Sequence, residues 1–295
     1  MSISVAVIGG GRLGTAMGRQ LAAAGYRITG VCCRTEASAR RSAAVIGTET
    51  AVTDPLEITP QAVLVLITTP DDTIAETYQA IVKRNGFSQD ATVLHCSGSL
   101  PSTILTAPGD TGIAKGSFHP LQSFAAADKT DANPFAGIVA AIEGDRRALE
   151  IATRIGKDLA VSCFTIRTES KALYHAAAVV ASNYLVSLVD IAFSLLESAG
   201  INRQDAVTIL YPLIRGTLAN IGTVGIPEAL TGPIARGDVK TIEDHLHHIR
   251  VRNKDLQGIY SHLGMHTIRL AEKKGSINSS QADALKHLLD ETRDY

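Results

Sequence analysis

The sequence predicts an α/β domain followed by an all-α domain, and three observations support this fold class. Over residues 1–166, short apolar runs of strand character alternate with helical segments, as in a doubly wound parallel sheet. After residue 166 no further strand signal is found, and helical patterns fill residues 167–295. The length of 295 residues also suits two domains better than one. We therefore predict a domain boundary near Arg167.

The elements of the first domain follow from apolar runs and capping residues. Strands are predicted over residues 3–8, 27–33, 63–67, 92–95, 113–118, 138–142 and 161–166. Helices are predicted over 11–24, 35–46 and 146–159, with another beginning at Asp71. The run at 63–67 is apolar throughout, which is typical of a strand covered on both faces. The late strands are candidates for antiparallel pairing at the sheet edge.

The second domain is predicted to be helical. One long helix over 168–198 ends at Gly200, and Asn202 caps the next helix, 203–221. Glycine and proline interrupt residues 223–237, and helices follow at 239–249, 255–274 and 279–292. The most apolar stretch, 176–196, also contains serine, asparagine and aspartate. We therefore expect a buried helix there and not a membrane span.

A glycine-rich turn follows the first strand. Gly9, Gly11 and Gly14 have the GxGxxG spacing, between a predicted strand and a predicted helix. This context is typical of the dinucleotide-binding Rossmann fold, in which the pyrophosphate lies at the helix N-terminus. We expect Gly9, Gly11, Arg12, Leu13 and Gly14 to contact the cofactor. The alternative is a glycine-rich turn without a ligand.

The end of the second strand indicates which dinucleotide binds. NAD enzymes usually carry an acidic residue there for the ribose 2′-hydroxyl, whereas this sequence has Arg34 beside Thr35. A guanidinium group suits the 2′-phosphate of NADP, with Arg40 and Arg41 about two turns later. We therefore predict NADP, with NAD a weaker ligand. Alternatively, Arg34 is an ordinary solvated loop residue.

Polar residues follow two further strands, where open α/β sheets bind ligands. Thr69 and Pro70 come after the third predicted strand and are expected to contact the cofactor. Ser97 and Ser99 come after the fourth. We assign Ser97 to cofactor binding and catalysis, and Ser99 to substrate binding. All four are also common turn residues.

Two places could supply a proton near a nicotinamide. The first is His119, at a strand end and before Pro120, which disfavours a helix there. The second is the long helix, where Lys171 and His175 lie four residues apart on one face. His119 is the first choice for acid–base catalysis, followed by Lys171 and His175. Each could instead be structural or solvent-exposed.

The same face of the long helix carries further polar residues. Ser182 follows Lys171 by nearly three whole turns, and Asn183 flanks it. A polar stripe on an otherwise apolar helix suggests that it faces a wet cleft. We therefore expect Ser182 and Asn183 to contact substrate.

Composition argues against several other functions. The net charge is −1, tryptophan is absent and aromatic residues make up 4% of the chain, so no nucleic-acid or membrane partner is predicted. No secretory signal is recognised, and the four cysteines lack CxxC spacing, so we expect a cytoplasmic protein with reduced thiols. Histidines at 245, 247, 248, 262 and 266 lack a nearby HExxH glutamate, and no metal site is predicted.

Five motifs, in order, resemble a known family. GGGRLG, HCSGSL, SFHPLQSF, KALYHAAAVVASNYL and LTGPIARGD are similar to segments of Rossmann-like proteins that carry a helical DUF2520 domain. The resemblance covers essentially the whole chain. It implies an NADP-dependent oxidoreductase, distantly related to the 6-phosphogluconate dehydrogenase-like superfamily.

Two relatives within that superfamily suggest roles for particular residues. In β-hydroxyacid dehydrogenases a catalytic lysine precedes an asparagine by four residues. Lys171 matches the lysine, whereas His175 replaces the asparagine and the preceding glycines are absent. In prephenate dehydrogenases a catalytic histidine precedes proline, as His119 does here, and their active-site serine corresponds to Ser97 or Ser99. The glycine after their His-Pro pair is missing.

The expected function is oxidation or reduction of a small carbonyl, hydroxy or imino compound with NADP, in a cleft between the two domains. We also expect a homodimer formed mainly through the helical domain, because the long helix carries more apolar surface than one helical layer can cover. Two alternatives stay open. One is a cofactor-binding sensor or scaffold without turnover, and the other is hydride transfer between NADP and a deazaflavin such as F420.

Overall fold

The first part of the chain is built on one eight-stranded sheet. The computed structural model describes residues 3–122 and 133–290. The strands are β1 Ser4–Ile8, β2 Arg27–Cys32, β3 Ala51–Val52, β4 Leu64–Ile67, β5 Thr92–His95, β6 Ala114–Pro120, β7 Val139–Gly144 and β8 Ser162–Thr165. Their order is β3-β2-β1-β4-β5-β6-β7-β8, and only β6 and β7 pair antiparallel. The predicted doubly wound sheet with late antiparallel pairing is confirmed.

Helices cover both faces of this sheet. They are α1 Arg12–Ala23, α2 Glu36–Ile46, α3 Asp71–Lys83 and α4 Arg146–Asp158. On one face, Met17 of α1 and Ile155 of α4 belong to the same apolar cluster as Val7. On the other face, Ile74 and Tyr78 of α3 pack in a second cluster. Each fully buried apolar side chain stabilises the fold by roughly 1.5–3 kcal/mol, and every residue of β1, β4 and β5 is buried, as expected for central strands covered on both faces.

The remaining helices confirm the helical second part. They are α5 Lys171–Ala181, α6 Asn183–Ser198, α7 Arg203–Val224, α8 Val239–Arg252, α9 Gln257–Lys274 and α10 Ser279–Asp290. The chain forms two compact units that divide between Asn183 and Tyr184, so α5 lies with the sheet. Within the second unit, Ile242, Ile268 and Leu285 are buried in one core. The boundary near Arg167 stays a prediction from the loss of strand signal.

The single helix predicted over 168–198 is wrong. Thr168–Ser170 is a 3-10 turn, α5 ends at Ala181, and α6 begins at Asn183. Ser182 between them has φ −119° and ψ −67°, outside ordinary α-helix geometry. The backbone therefore departs from a straight helix at Ser182. Helical spacing from Lys171 consequently does not show which way Ser182 and Asn183 face.

Smaller differences concern short or terminal segments. The sequence analysis missed β3, because two residues are too few for a periodic signal. Helix α7 runs three residues beyond the predicted end at residue 221, with Pro212 inside it. The predicted end of the last helix, Thr292, lies outside the described residues.

The apolar stretch after the sheet is exposed. A window within Thr168–Ser198 has a mean hydropathy of 1.8 and the length to cross a membrane, yet none of it is buried within the chain. Leu173 is 78% exposed and Val186 is 71% exposed. The prediction of a buried helix over 176–196 is therefore wrong within residues 3–122 and 133–290, because no described residue covers these side chains.

Candidate functional site

The glycine-rich turn connects β1 to α1. Gly9 has φ +104°, and a Cβ atom there would lie 2.8 Å from the backbone of Thr68 and Thr69. A Cβ atom at Gly14 would lie 2.1 Å from the carbonyl oxygen of Gly9. These two positions exclude larger residues for reasons internal to the chain. At Gly11, by contrast, no atom of the described residues other than its chain neighbours lies within 4 Å of the Cβ position, so the turn is open on that side.

The open side of this turn fits the pyrophosphate of a dinucleotide. Gly11 is the N-cap of α1 and makes no side-chain capping bond, and the first turn holds no acidic residue. The positive end of the helix dipole is therefore not offset by a carboxylate. Thr69 lies against Gly9, and its Oγ1 is buried without a hydrogen-bond partner in the described residues. Arg12 and Leu13 are the first two residues of α1. Arg12 is exposed, and Leu13 is half-buried.

Two side chains from other elements hold the turn in place. The amide of Gly10 donates to Cys33 Sγ at 3.2 Å, and Ser42 Oγ of α2 donates to the Gly10 carbonyl at 2.8 Å. A Cβ atom at Gly10 would meet both side chains, at 2.6 Å and 2.3 Å. From sequence, Cys33 was predicted only as a small core residue, and Ser42 was not predicted to lie at the site. Contacts made across 23 and 32 residues leave no local signal.

The end of β2 is basic at its surface. Arg34 is exposed, and it forms no ion pair within the described residues. Thr35 caps α2 by accepting from the Ser38 amide at 3.4 Å. Arg40 pairs with Glu36, and Arg41 donates to Ser38 Oγ at 2.9 Å. Of these three arginines, Arg34 is thus the one without a side-chain partner in the described residues, while Thr35 already stabilises the helix start.

A carboxylate links the ends of β4 and β5. Ser97 Oγ donates to Asp71 Oδ2 at 2.8 Å, and Ser99 Oγ donates to the same oxygen at 2.9 Å. Ser97 Oγ also accepts from the Leu100 amide at 3.0 Å. Pro70 precedes Asp71, so the predicted cofactor segment and the two serines are neighbours. Asp71 was predicted from sequence only as the start of a helix, and its hydrogen bonds to the two serines were not predicted.

His95 shapes the start of the loop after β5. Its side chain is fully buried, and Nδ1 accepts from the Ser97 amide at 3.2 Å. Burial, followed by the positive charge of Lys171, lowers the pKa of His95 to about 4. His95 is therefore neutral near pH 7 and positions Ser97 through its backbone.

Lys171 is buried at the centre of the site. Its Nζ donates to the Ser97 carbonyl at 2.7 Å and to Ser117 Oγ at 2.7 Å. Glu143 Oε1 lies 3.7 Å from Nζ, and both side chains are 1% exposed. Burial lowers the pKa of Lys171 to about 8, although Glu143 favours the charged form. The expectation that Lys171 faces a wet cleft is wrong, because its ammonium group is enclosed by protein partners.

Glu143 is the most fully hydrogen-bonded carboxylate of the site. It accepts from the Ser102 amide at 2.8 Å, from Ser102 Oγ at 2.6 Å and from Ser117 Oγ at 2.7 Å. Thr168 Oγ1 donates to it at 3.0 Å. Burial opposes its charge, but the hydrogen bonds and Lys171 outweigh burial and hold the pKa below its usual range. Lys171 and Glu143 therefore fix both ends of the 97–102 loop.

His119 lies beside two aromatic residues of α5. His119 Nδ1 and Tyr174 Oη are 3.0 Å apart, with the rings edge to face. The His175 ring centre lies 5.9 Å from that of His119, and its buried Nδ1 has no partner in the described residues. Burial, followed by the charge of Lys171, lowers the pKa of His119 to about 4. Tyr174 was not among the site residues predicted from sequence.

The structure brings together some predicted site residues and separates others. Ser97, Ser99, His119, Lys171 and His175 lie in one connected set around the 97–102 loop. The break at Ser182 removes the spacing argument for Ser182 and Asn183, and both are exposed. Their proposed contact with substrate stays a prediction.

The C-terminal histidines have other partners. His245 Nδ1 lies 2.7 Å from Tyr260 Oη, and His262 Nδ1 lies 2.7 Å from the Gly258 carbonyl. Within residues 3–122 and 133–290, no group of three or more candidate side chains could hold a metal ion. These contacts are ordinary for helix surfaces.

Comparisons with known proteins agree with this architecture. BF3122 from Bacteroides fragilis, assigned as an NADP oxidoreductase, is 26% identical with a TM-score of 0.73, over 91% of this chain and 98% of that chain. Protein TM1727 from Thermotoga maritima is 26% identical with a TM-score of 0.66, over 98% and 99%. A 1-pyrroline-5-carboxylate reductase from Streptococcus pyogenes is 12% identical with a TM-score of 0.62, over 100% and 99%, which shows likeness of fold alone. No curated protein matches the sequence.

Two family models match successive parts of the chain. Residues 1–120 match the Rossmann-like domain, and residues 138–267 match the domain of unknown function DUF2520. The first range contains the glycine-rich turn and the end of β6, and the second contains Glu143 and all of α5. The chain is thus a protein with a Rossmann-like domain followed by a DUF2520 domain.

Proposed function

We propose that the chain is an NADP-dependent oxidoreductase acting on a small carbonyl, hydroxy or imino compound. The observation that carries this proposal is the turn at Gly11, open on its outer side, together with Arg34 at the end of β2. The resemblance to BF3122 supports the same cofactor and reaction class.

The residues of the site would have separate roles in binding and catalysis. Gly9, Gly11 and Gly14 shape the pyrophosphate cradle, and Arg34 meets the 2′-phosphate. NADP, when bound, supplies or accepts the hydride. His119 contacts the reacting group of the substrate, with His175 beside it. Lys171 acts by holding the 97–102 loop, since its ammonium group is already bonded to Ser97 and Ser117 and enclosed.

A titration of both cofactors tests the assignment of Arg34. The wild type should bind NADP more tightly than NAD, and Arg34→Ala should weaken NADP binding by roughly 1.5–3 kcal/mol while leaving NAD binding nearly unchanged. Arg27→Ala is a matched control, because Arg27 starts the same strand at its other end. Equal affinity of the wild type for the two cofactors would contradict the proposal.

A cofactor-binding sensor is the second candidate. One observation favours it: two predicted catalytic side chains are withdrawn from solvent, since Lys171 is fully enclosed and His119 is half-buried. A panel of small ketones, hydroxy acids and imines separates the two candidates by NADPH absorbance. Binding of NADP without turnover of any member of the panel would favour the sensor.

We further propose a homodimer formed through the exposed apolar helices. Large apolar side chains stand exposed on three consecutive helices, α5, α6 and α7. They include Leu173, Val180, Val186, Val207, Ile209, Leu213 and Leu218. An apolar surface of this extent is typical of a protein–protein interface.

A further inference from the structure

We propose that Tyr174 fixes the tautomer of His119, so that His119 presents its N–H group at Nε2 and thereby selects a carbonyl substrate over an imine. This rests on the oxidoreductase function proposed above and names the substrate class for the same site. Tyr174 is a positioning residue in this scheme, because it acts through His119.

The two rings are held in a defined arrangement. His119 Nδ1 and Tyr174 Oη are 3.0 Å apart, and the rings meet edge to face at 86°. Phe164 of β8 contacts Tyr174 on another side, with ring centres 5.9 Å apart. Within the described part of the chain, Tyr174 is the only hydrogen-bond partner of the His119 ring. The geometry therefore leaves one nitrogen, Nε2, for a ligand.

The charge state of His119 determines how many protons the ring carries. Burial, with Lys171 and His175 nearby, lowers the pKa of His119 to about 4, so the ring is neutral at pH 7 and carries a single N–H. Burial also raises the pKa of Tyr174, which keeps the phenol protonated. A phenol is a better donor than a neutral imidazole, and an imidazole nitrogen is the better acceptor. Tyr174 therefore donates to Nδ1, and the ring proton stays on Nε2.

Gly98 lets the 97–102 loop pack directly against that nitrogen. A Cβ atom at Gly98 would lie 2.8 Å from His119 Nε2 and 2.5 Å from His175 Nδ1. Any larger residue would collide with both imidazoles, so glycine at this position holds the two rings in their present arrangement. Lys171 Nζ donates a hydrogen bond to the carbonyl of Ser97, the residue before Gly98, and so helps to hold the loop against the two rings.

A donor at Nε2 distinguishes between the two candidate substrate classes. A carbonyl oxygen has lone pairs and gains negative charge as hydride from the bound, reduced cofactor adds to its carbon, so an N–H donor stabilises it increasingly. The resulting alkoxide would take its proton from solvent water, and the oxidised cofactor would be left. A protonated imine has no lone pair on nitrogen and carries a positive charge, so the same donor would oppose it. The site therefore favours a ketone or aldehyde.

The tautomer can be read directly by NMR. In protein labelled with ¹⁵N-histidine, long-range ¹H–¹⁵N spectra at pH 7 should show His119 with unprotonated Nδ1 and protonated Nε2, assigned by comparison with His119→Gln. In Tyr174→Phe the two tautomers should become mixed. Tyr26→Phe is the matched control, since it removes a buried tyrosine hydrogen bond to Asp158 elsewhere, and it should leave the His119 signals unchanged. A proton on Nδ1 in the wild type would overturn the proposal.

Turnover tests the substrate class. With matched cyclic ketones and cyclic imines, kcat/KM should be higher for the ketones, and Tyr174→Phe should lower kcat on ketones by about 3- to 10-fold with NADP affinity unchanged. Preference for imines would overturn the class assignment even if the tautomer is as proposed. Absence of turnover on both sets would overturn the oxidoreductase function and the carbonyl preference together, whereas the tautomer result would stand separately on the NMR spectra.

Discussion

Burial changes what single ionisable residues of the site can do. It lowers the pKa of His95 and His119 to about 4, so neither ring carries a charge near neutral pH. Lys171, with a pKa lowered to about 8, is the main positive charge among them, and Glu143 offsets it. The imidazoles can therefore act as hydrogen-bonding groups at pH 7, but not as imidazolium acids.

The buried His95 predicts a pH dependence of stability. Its pKa is about 4 in the folded protein and near 6.5 when exposed, so the unfolded chain binds more protons between these values. Stability should therefore rise with pH across this window and be lost as pH falls. Between pH 7 and pH 5 the wild type should lose about 2 kcal/mol more than His95→Gln, measured by urea unfolding at each pH.

The comparison between the two proteins isolates His95. His119 titrates in the same range but is present in both proteins, and its contribution cancels. Glu143, whose pKa is lowered, contributes only at more acidic pH. An identical loss of stability in wild type and His95→Gln would show that His95 is not held neutral by burial.

Among the elements, the β1–α1 turn makes the sharpest prediction. Gly11→Val adds a side chain at a Cβ position with no described residue beyond its chain neighbours within 4 Å, so the fold should tolerate it. The same side chain would occupy the space that the pyrophosphate needs. We expect NADP binding to be abolished in calorimetry, with the thermal unfolding midpoint close to that of the wild type.

Gly14→Val is the contrasting variant for the same turn. Its Cβ atom would meet the Gly9 carbonyl oxygen at 2.1 Å, so this variant should be strongly destabilised. Gly216→Val, on α7 with open space at its Cβ position, controls for a glycine replacement in a helix. Normal NADP binding by Gly11→Val would mean that the phosphate does not bind at this turn.

The helices and strands that could be predicted from the sequence are those with a local signal. The glycine spacing and the apolar runs predicted β1, α1, β4 and β5, because each signal lies within a few residues. Glu143 lies near the end of a strand with an apolar sequence pattern. It was not predicted as a site residue because its hydrogen-bond partners lie 25 to 41 residues away in the sequence. Lys171 was identified but placed on a wet face, since periodicity shows which residues share a face and not what covers it.

At the scale of the whole molecule, the exposed helices predict a dimer. Light scattering at micromolar concentration should give twice the chain mass of 31.1 kDa. Leu213 is 66% exposed on α7, and Leu213→Glu should produce monomers by placing a charge in the interface. Val45→Glu on α2, at a position 52% exposed, is the matched control and should leave the dimer intact. A monomeric wild type would refute the proposed interface.

The buried pair of Lys171 and Glu143 has a consequence for the construction of chimeric proteins. Glu143 belongs to the sheet, but its cationic partner comes from α5, after the last strand. A Rossmann-like domain excised at residue 166 would retain the carboxylate and lose the ammonium group, and a buried charge without its partner destabilises a fold by about 3–5 kcal/mol. Exchange of helical domains between relatives should therefore keep α5 with the sheet and place the junction after it.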